Sequence, residues 1–315
     1  MNGTDQRVLV TGGAGFVGAN LVPHLVNAGH RVRVLDNLST GSADHLAGVD
    51  VEVVVGDIRD DATVDAALDG VDAVVHLAAA GSVVDSVADP RANFESNVLG
   101  TFRVLDAARR AGVGRAVLAS TGGALIGEAT PPVDEMSLPK PISPYGASKL
   151  AGEGYAHAFA AAYGIRTVCL RFANVYGPHS ERKKGAVTTF FRALHTGAPI
   201  TIYGDGTASR DYIHADDICA GLRAGLERDV PGGTVLHLAS GVETSAAELA
   251  RLCCAAAGRP GHPIVFAEAR PGEVGRNFAS YARATEMLGY APSVDVAEGL
   301  QRTWDWFNRH VFAAG

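Results

Sequence analysis

Two side chains four residues apart, Tyr145 and Lys149, have the spacing that acid–base chemistry needs. On a helix they lie on one face, one turn apart. A tyrosine hydroxyl has an ordinary pKa of ~10, and lowering it to ~7 takes about 4 kcal/mol of differential stabilisation. Two cations in a shielded cleft supply that, so Lys149 is predicted to tune Tyr145 as a general base. The alternative, an exposed helix with an ordinary tyrosine, explains Ser143 and Pro144 as a helix start but leaves the pairing unexplained.

A third hydroxyl is expected where the predicted strand Arg115–Ala119 ends. Ser120 and Thr121 follow that strand directly and are the two candidates. Either hydroxyl can instead serve only to cap the strand, so the residues by themselves leave the choice open.

A glycine-rich turn near the amino terminus offers a site for a dinucleotide. Gly12, Gly15 and Gly18 follow an apolar strand and open a helix, and their spacing lets phosphate oxygens meet backbone N–H groups. The helix, with Phe16 and Val17 as its first residues, directs the positive end of its dipole at a pyrophosphate. Glycines also mark ordinary tight turns, so the strand–glycine–helix context carries this prediction.

Acidic residues follow the next two predicted strands. Asp36 lies 18 residues after Gly18, where a carboxylate bonds both ribose hydroxyls and repels a 2′-phosphate. The predicted cofactor is therefore NAD rather than NADP, and its oxidised ring is the second cation beside Tyr145. Asp57, which is followed by Ile58, is predicted to take the adenine amino group, unless it only caps its strand.

The fourth predicted strand ends at a histidine followed by small residues. We interpret His76 as a structural histidine with satisfied ring nitrogens rather than as a ligand. The next residues, Leu77, Ala78 and Ala79, leave room for a flat cofactor and are assigned to its site.

Strands and helices alternate through the first half of the chain, which predicts a parallel sheet with helices on both faces. After residue 174, Gly and Pro turn signals divide the chain into short pieces. We predict an α/β, Rossmann-type doubly wound fold with an NAD-binding domain over residues 1–174 and a smaller, substrate-binding lobe over 175–315. Stretches at about 213–240 return to the first domain. The predicted strands are Arg7–Val10, Arg31–Leu35, Val51–Val55, Ala73–Leu77, Arg115–Ala119 and Thr167–Arg171.

Bulk composition excludes several classes of protein. The net charge of -7 over 315 residues argues against a nucleic-acid surface. The sequence has no apolar stretch of ~18 residues, so no membrane span is predicted. The four cysteines lack metal-ligand spacing, and we expect reduced thiols, no metal and a cytoplasmic location.

These motifs together make the chain similar to the extended short-chain dehydrogenase/reductases, and within them to the UDP-sugar 4-epimerases. The resemblance covers nearly the whole length. It rests on Thr11–Gly18, Leu35–Gly41, Gly56-Asp57, His76–Ala79, Asn97, Ser143–Lys149, Arg171–Pro178, Tyr203–Gly206, Arg210–His214 and Arg270–Glu273.

The resemblance implies a role for each matching position. Tyr145 is the base, and Lys149 tunes it while holding the nicotinamide ribose. Asn37, Gly41 and Asn97 contribute to the cofactor site. Arginine suits the diphosphate because its planar fork fits phosphate oxygens. The implied substrate-binding residues are Asn174, Lys184, Val187, Tyr203, Arg210, Arg270 and Glu273, the last at the uridine ribose.

One departure from the family pattern concerns the third hydroxyl. Relatives carry Ser or Thr four residues before the Tyr of a Val-Tyr-Gly step, but here the step reads Leu125–Gly127 and the equivalent position is Gly122. We predict that Thr121 substitutes. The segment Gly122–Ala124 also lacks the acid that related dehydratases and decarboxylases place there. Because water loss needs a positioned proton donor, epimerisation is favoured.

The predicted function is NAD-dependent inversion at C4 of a UDP-hexose or UDP-hexuronate through a 4-keto intermediate. The cationic loop Arg182–Gly185 can receive a C6 carboxylate, or it is a solvated basic turn or a diphosphate contact. Alternatives are a dehydratase, decarboxylase or reductase of the same superfamily, and a non-catalytic NAD-binding sensor. We expect a homodimer formed through the helices Val98–Ala111 and Ser148–Tyr163, although both can equally pack inward.

Overall fold

The computed structural model describes residues 5–269 and 275–313. The strands in these ranges are β1 Arg7–Thr11, β2 Arg31–Asp36, β3 Glu52–Val55, β4 Ala73–His76, β5 Arg115–Thr121, β6 Arg166–Phe172, β7 Asn174–Tyr176, β8 Ile200–Tyr203, β9 Ser209–His214, β10 Thr234–Leu238, β11 Glu243–Ser245, β12 Ile264–Ala267 and β13 Arg276–Asn277. The α-helices are α1 Phe16–Asn27, α2 Asp61–Ala67, α3 Val83–Ala88, α4 Pro90–Phe94, α5 Gly100–Arg110, α6 Gly123–Ile126, α7 Pro144–Tyr163, α8 Ala186–Thr196, α9 Ala215–Glu227, α10 Ala246–Ala256, α11 Ala282–Leu288 and α12 Val296–Phe307.

Seven of these strands form one parallel sheet, in the order β10-β6-β5-β4-β1-β2-β3. Every pairing in it is parallel. The chain runs from β1 to β2 and β3 and then crosses to β4 on the other side of β1. A topological switch point therefore lies between β1 and β4, at the carboxyl edge of the strands. The predicted fold class is confirmed.

Both faces of this sheet are buried under helices, which is why its strands read as continuous apolar runs. In β1, Val8 and Val10 pack on one face with α1 and α9. Leu9 points to the opposite face, where α2, α5 and α7 lie. Helix α7 thus covers the face that carries the even-numbered residues of β5.

The second lobe is built from shorter pieces around its own core. Strands β7, β11 and β13 join β9 in a small sheet, and β8 pairs with β12. Helices α8, α10 and α12 supply the apolar core, in which Phe191 and Phe307 are fully buried. Since α9 packs on α1 and β10 lies at the edge of the large sheet, we propose that both count with the first domain and that the boundary lies at residue 174.

Two helices begin elsewhere than their apolar pattern suggests. The α-helix predicted from Val98 begins at Gly100, because Glu95–Leu99 form a π-helical turn. Helix α7 begins at Pro144, before the predicted Ser148, and the Ser143 hydroxyl accepts the Gly146 N–H at 3.1 Å. Within the described ranges, no helix has the length and apolar character to span a bilayer.

Candidate active site

The glycine turn brings β1 and β4 together at the switch point. Gly12 has a φ of +72°, and its N–H donates to the Leu35 carbonyl at 2.8 Å. A Cβ on Gly12 would lie 2.7 Å from the Ala78 nitrogen, and one on Gly18 would lie 2.5 Å from the Gly13 Cα. Any side chain at these two glycines would push the turn away from β4 or from its own helix.

The amino terminus of α1 fits a phosphate group. Gly15 is the N-cap and offers no side chain to the first turn, so the N–H groups of Phe16 and Val17 face a space without a capping oxygen. A helix N-terminus of this kind, lined by glycine, binds a pyrophosphate through backbone donors and its dipole. Both predicted residues thus lie where a dinucleotide phosphate fits.

Asp36 is buried at the end of β2, beside the same turn. Its carboxylate accepts the Ala14 N–H at 3.0 Å and the Leu38 N–H at 2.8 Å, which fixes its orientation. Each oxygen keeps a lone pair for a ribose hydroxyl. Gly41 packs directly below, because a Cβ there would lie 2.5 Å from the Ala14 carbonyl oxygen.

Asp57 lies next to Asp36 on the edge of the sheet but is already heavily hydrogen-bonded. Arg59 donates to both of its oxygens and holds the pKa of this carboxyl well below its usual range. Asn37 donates to it at 2.9 Å. The two predicted adenosine-side residues are therefore joined to each other, and Ile58 is buried beneath them.

His76 is a structural residue, as its surroundings show. Its Nδ1 lies 2.7 Å from the Thr11 hydroxyl and its Nε2 lies 3.0 Å from the Thr101 hydroxyl. Burial, with a smaller contribution from the Lys149 charge, lowers the pKa of His76 to about 3. The neutral ring therefore ties β1 to α5 and leaves Leu77, Ala78 and Ala79 half-buried above it.

Asn97 connects the loop after β4 to helix α7. Its carbonyl accepts the Ala80 N–H at 2.7 Å, and its amide donates to the Ser148 hydroxyl at 3.1 Å. The residue is buried within the π-helical turn. In this structure Asn97 therefore positions α7, and a direct cofactor contact remains a prediction.

Tyr145 and Lys149 lie on the first two turns of α7, partly buried beside β5. The Lys149 ammonium donates to the Ala119 carbonyl at 2.9 Å. Burial raises the pKa of Tyr145 to about 12 and lowers that of Lys149 to about 8. In the polypeptide alone, burial sets the pKa of Tyr145. Lowering that pKa toward about 7 therefore needs positive charge beyond that of the buried Lys149, such as an oxidised nicotinamide.

The two candidate hydroxyls at the end of β5 are in different situations. Ser120 points to the face covered by α7 and donates to Glu153 Oε1 at 2.6 Å inside the core. Thr121 follows on the opposite face, is half-buried, and makes no side-chain hydrogen bond to another described residue. Strand alternation therefore leaves Thr121, and not Ser120, with a hydroxyl available to a ligand.

A cavity of about 330 Å³ in the second lobe collects the predicted substrate-binding residues. Asn174 at the start of β7, Arg210 in β9 and Lys184 in the cationic loop line it, together with Val187 in α8 and Tyr203 at the end of β8. Arg210 donates to the Ser209 carbonyl at 2.8 Å, which fixes one of its nitrogens. Arg270 and Glu273 fall outside the described residues.

The cationic loop is engaged at each of its three positive charges. Arg182 donates to the carbonyls of Thr40 and Gly41, both at 3.1 Å. Lys183 donates to the Val175 carbonyl at 2.6 Å. Lys184 pairs with the Asp85 carboxylate, at 3.2 and 3.3 Å from its two oxygens. The loop thus joins the cofactor side to the substrate cavity.

Comparison with known proteins agrees with this geometry. The model of the NAD dependent epimerase/dehydratase family matches residues 8–239, which include the glycine turn, the Tyr-Lys pair and part of the cavity. This chain belongs to that family. The family assignment confirms the predicted resemblance and the NAD dependence.

Relatives within the epimerase/dehydratase family include both reaction types. The chain is 40% identical to UDP-glucose 4-epimerase of Mycolicibacterium smegmatis, over 96% of this chain and 98% of the relative. It is 36% identical to dTDP-glucose 4,6-dehydratase of Streptomyces antibioticus, over 96% and 92%. The Thermus thermophilus UDP-glucose 4-epimerase complex with NAD superposes with a TM-score of 0.89 at 36% identity, over 97% and 100%.

The sequence analysis does not single out Glu153, and it names Arg171 only as the end of a predicted strand and the first residue of a segment that matches the family. Glu153 lies one turn after Lys149 on α7 and is buried, and Arg171 in β6 binds it through two nitrogens, at 2.8 and 2.9 Å. A signal was available, since Tyr145, Lys149 and Glu153 recur every four residues on one helix face. A glutamate on a helix is ordinarily solvated, however, and only the packing reveals its burial.

The geometry predicts different effects for the two hydroxyls. Thr121→Val should lower kcat by on the order of 10²–10⁴-fold, as expected for a lost proton-handling contact, while NAD binding stays near wild type. Ser120→Ala should instead lower the melting temperature, since it strips a donor from a buried carboxylate. Turnover assays with fluorescence titration of NAD and calorimetric melting check both.

Normal turnover in Thr121→Val would exclude Thr121 as the third hydroxyl. Thr207→Val serves as a matched control, because Thr207 is exposed in the second lobe and, among the residues that the structure describes, its hydroxyl bonds only to Asp205.

Proposed function

We propose that this protein inverts the configuration at C4 of a UDP-hexose, using bound NAD, through a 4-keto intermediate. The observation that carries the proposal is a set of hydrogen bonds that connects three features: the glycine turn, the Tyr145–Lys149 pair on α7 and the cavity of about 330 Å³. Arg182 donates to the Gly41 carbonyl beside the glycine turn. Lys184, which lines the cavity, pairs with Asp85, and the next residue, Ser86, accepts the Tyr145 N–H. The Mycolicibacterium relative's name supports the same reaction.

The proposed mechanism assigns one task to each side chain. Tyr145, as the phenolate, takes the proton from the sugar 4-hydroxyl and later returns it. Thr121 hydrogen-bonds the same oxygen, and Lys149 supplies positive charge on the face of α7 that holds Tyr145. NAD, when bound, accepts and returns the hydride of C4. The cavity residues bind the UDP group. Binding energy remote from the reacting carbon therefore retains the substrate while its sugar ring rotates to present the other face.

Water elimination is disfavoured by the surface that follows Thr121. Dehydration needs a positioned acid to protonate the leaving hydroxyl, and Gly122–Ala124 carry none. The neighbouring wall includes His237 and Asn277, whose ring and amide lie within 3.2 and 2.7 Å of a Cβ built on Gly122 and Gly123. Glu135 lies next to His237 and accepts its backbone N–H at 2.8 Å. Burial, with a smaller effect of Arg171, lowers the pKa of His237 to about 4, so its ring is neutral at pH 7. A dehydratase activity is therefore the weaker candidate.

The ion pair between Lys184 and Asp85 favours a neutral sugar over a uronate. Lys183 and Lys184 both line the cavity; Lys183 donates to the Val175 carbonyl, and Asp85 pairs with Lys184 from α3. The next residue, Ser86, accepts the Tyr145 N–H at 3.2 Å, so α3 lies against the catalytic turn. A C6 carboxylate arriving there would meet Asp85 as well as Lys184, and the like charge opposes it.

A homodimer is proposed from an apolar surface on two neighbouring helical segments. Phe94, Leu99 and Phe102 are 36–50% exposed along α4, the π-helical turn and α5. Tyr155 on α7 is exposed beside them, and its ring lies 5.4 Å from that of Phe102. A contiguous exposed apolar patch of this kind is typical of an interface.

A cytoplasmic location is also proposed, on the ground that all four cysteines are buried free thiols.

Replacing the proposed base tests the reaction most directly. Tyr145→Phe should keep NAD and UDP binding while inversion of UDP-glucose falls by on the order of 10²–10⁴-fold, because only the proton-transferring oxygen is removed. NMR of the anomeric products and calorimetric titration with UDP measure the two effects. Tyr163→Phe, at the exposed far end of α7, should invert the sugar at the wild-type rate. Retained inversion in Tyr145→Phe would refute the assignment, and accumulation of a keto sugar by the wild type would favour a dehydratase.

The sugar preference is tested by removing the counter-charge of Lys184. Wild-type protein should have a higher kcat/KM for UDP-glucose than for UDP-glucuronate. Asp85→Asn should raise the uronate-to-hexose ratio of kcat/KM by about 2–5-fold, and adding Lys184→Met should cancel the gain. A wild-type preference for UDP-glucuronate, or an unchanged ratio in Asp85→Asn, contradicts the proposal.

Sedimentation tests the proposed assembly. The wild type should sediment at twice the 32.6 kDa chain mass, and Phe94→Glu/Leu99→Glu should shift it toward the monomer, because two charges would be buried in the interface. Met136→Glu introduces a charge at an 85% exposed position outside this surface and should leave the dimer intact. A monomeric wild type at micromolar concentration would overturn the proposal.

A further inference from the structure

A buried charged cluster lies directly behind the catalytic lysine. Glu153 in α7 accepts hydrogen bonds from Ser120 in β5 and from Arg171 in β6. Ser120 and Arg171 are register partners in the two adjacent strands. The side chains of Arg171 and Glu153 are 5% and 6% exposed, so the ion pair is almost fully removed from water. One carboxylate thus joins a helix to two strands of the sheet.

Stability alone does not account for this cluster. Taking two charges out of water costs much of what their attraction returns, and apolar replacements of buried ion pairs are often as stable. The cluster is also incompletely satisfied, because Arg171 Nη1 and the neighbouring His237 Nε2 are buried without a hydrogen-bond partner among the described residues. A charge kept at this cost points to a task for the charge itself.

The geometry connects Glu153 to Lys149. The two side chains are one turn apart on α7, and they hydrogen-bond to consecutive residues of β5. Lys149 donates to the Ala119 carbonyl, and Glu153 accepts from the Ser120 hydroxyl. The catalytic helix is therefore fastened to the strand at two adjacent points. Loss of the Glu153–Ser120 hydrogen bond would therefore loosen the contact between Lys149 and Ala119.

The charges around Lys149 make Glu153 its anionic neighbour. Glu153 acts on it from its own helix, Cys169 from β6 and His76 from β4. Arg171 in β6 is paired with Glu153. Burial lowers the pKa of Lys149, whereas Cys169 and Glu153 oppose that shift. Burial raises the pKa of the Cys169 thiol and lowers that of His76, so both are neutral at pH 7. Of these groups, Glu153 is the carboxylate, and it is paired with Arg171 at 2.8 Å.

We propose that Glu153 is a positioning residue for Lys149, held by Ser120 and Arg171, which seats the Lys149 ammonium on the Ala119 carbonyl and supplies its counter-charge. The inference rests on the proposed function only for its kinetic consequence. Arg171 orients the carboxylate and partly offsets it, and Ser120 fixes the oxygen that faces β5. No group of the cluster touches substrate in this scheme.

The test compares pH profiles of kcat/KM for UDP-glucose. Deprotonation of Lys149 sets the alkaline limb, and loss of a neighbouring anion favours the deprotonated form. In Glu153→Gln the limb should therefore move to lower pH, by about 0.5–1 unit. Glu153→Asp keeps the charge and should keep the wild-type limb even where its melting temperature falls. A purely structural role would lower stability in both variants and move the limb in neither.

A direct measurement separates this inference from the proposed function. The chain has four lysines, Lys140, Lys149, Lys183 and Lys184, so the Lys149 ε-carbon can be followed by NMR in lysine-labelled, NAD-loaded protein and assigned with Lys149→Met. Its titration should shift down in Glu153→Gln whether or not the wild type inverts a sugar. If Glu153→Gln fails to fold, the double variant Glu153→Met/Arg171→Met removes the ion pair without leaving a lone charge. It should lower the titration midpoint of Lys149 by a smaller amount. An unchanged Lys149 titration in the folded variant overturns the inference, and an inactive wild type overturns only the function.

Discussion

The close approach of the Gly12 turn to Ala78 is the constraint on which the rest of this structure depends. The turn ends β1 and Ala78 follows β4, so the contact sets the width of the crevice at the point where the strand order reverses. His76 ties the same two strands together through Thr11. Because the sheet is parallel, everything that follows its other strands arrives at this edge. The position of Asp36, Thr121 and the catalytic helix is a consequence of that arrangement.

Charge at this edge is fixed largely by backbone groups. Asp36 is oriented by two N–H groups, and Lys149 by one carbonyl. Such partners neither titrate nor rotate away, so the side chains stay oriented in advance of any ligand. The exceptions are Asp57, held by Arg59 and Asn37, and Glu153, whose partners are a hydroxyl and a guanidinium. Of the two, Glu153 is buried, which distinguishes the cluster behind Lys149.

The sequence predicts well the features that depend on backbone conformation and on the burial of whole strands. Glycine spacing after an apolar strand predicts a turn too tight for a Cβ atom. Apolar runs that alternate with helical patterns predict a sheet covered by helices on both faces. These patterns predict that Gly12 and Asp36 lie at one edge of the sheet, whereas Tyr145 is predicted from its spacing to Lys149. The cavity residues came from family resemblance rather than from a pattern, since they lie on separate elements of the second lobe.

Other features depend on packing that no local pattern carries. The choice between Ser120 and Thr121 required knowing that β5 continues past Ala119, so that one hydroxyl faces α7 and the other does not. The pairing of Lys184 with Asp85 joins residues 99 positions apart. The π-helical turn at Glu95–Leu99 moves the start of α5 and buries Asn97, although the amphipathic pattern runs smoothly through it. The tyrosine pKa also departs from expectation, because burial acts on it where Lys149 does not.

The cationic loop has a thermodynamic consequence beyond its individual contacts. Arg182 donates to the carbonyls of Thr40 and Gly41, and Lys184, two residues on, lines the cavity of the second lobe. A segment anchored to both places makes their occupancies mutually dependent. By reciprocity, whatever free energy one ligand gains from ordering the segment must reappear as an equal gain in affinity for the other. A ligand that ordered this segment from either side would therefore be held more tightly while the other ligand is bound.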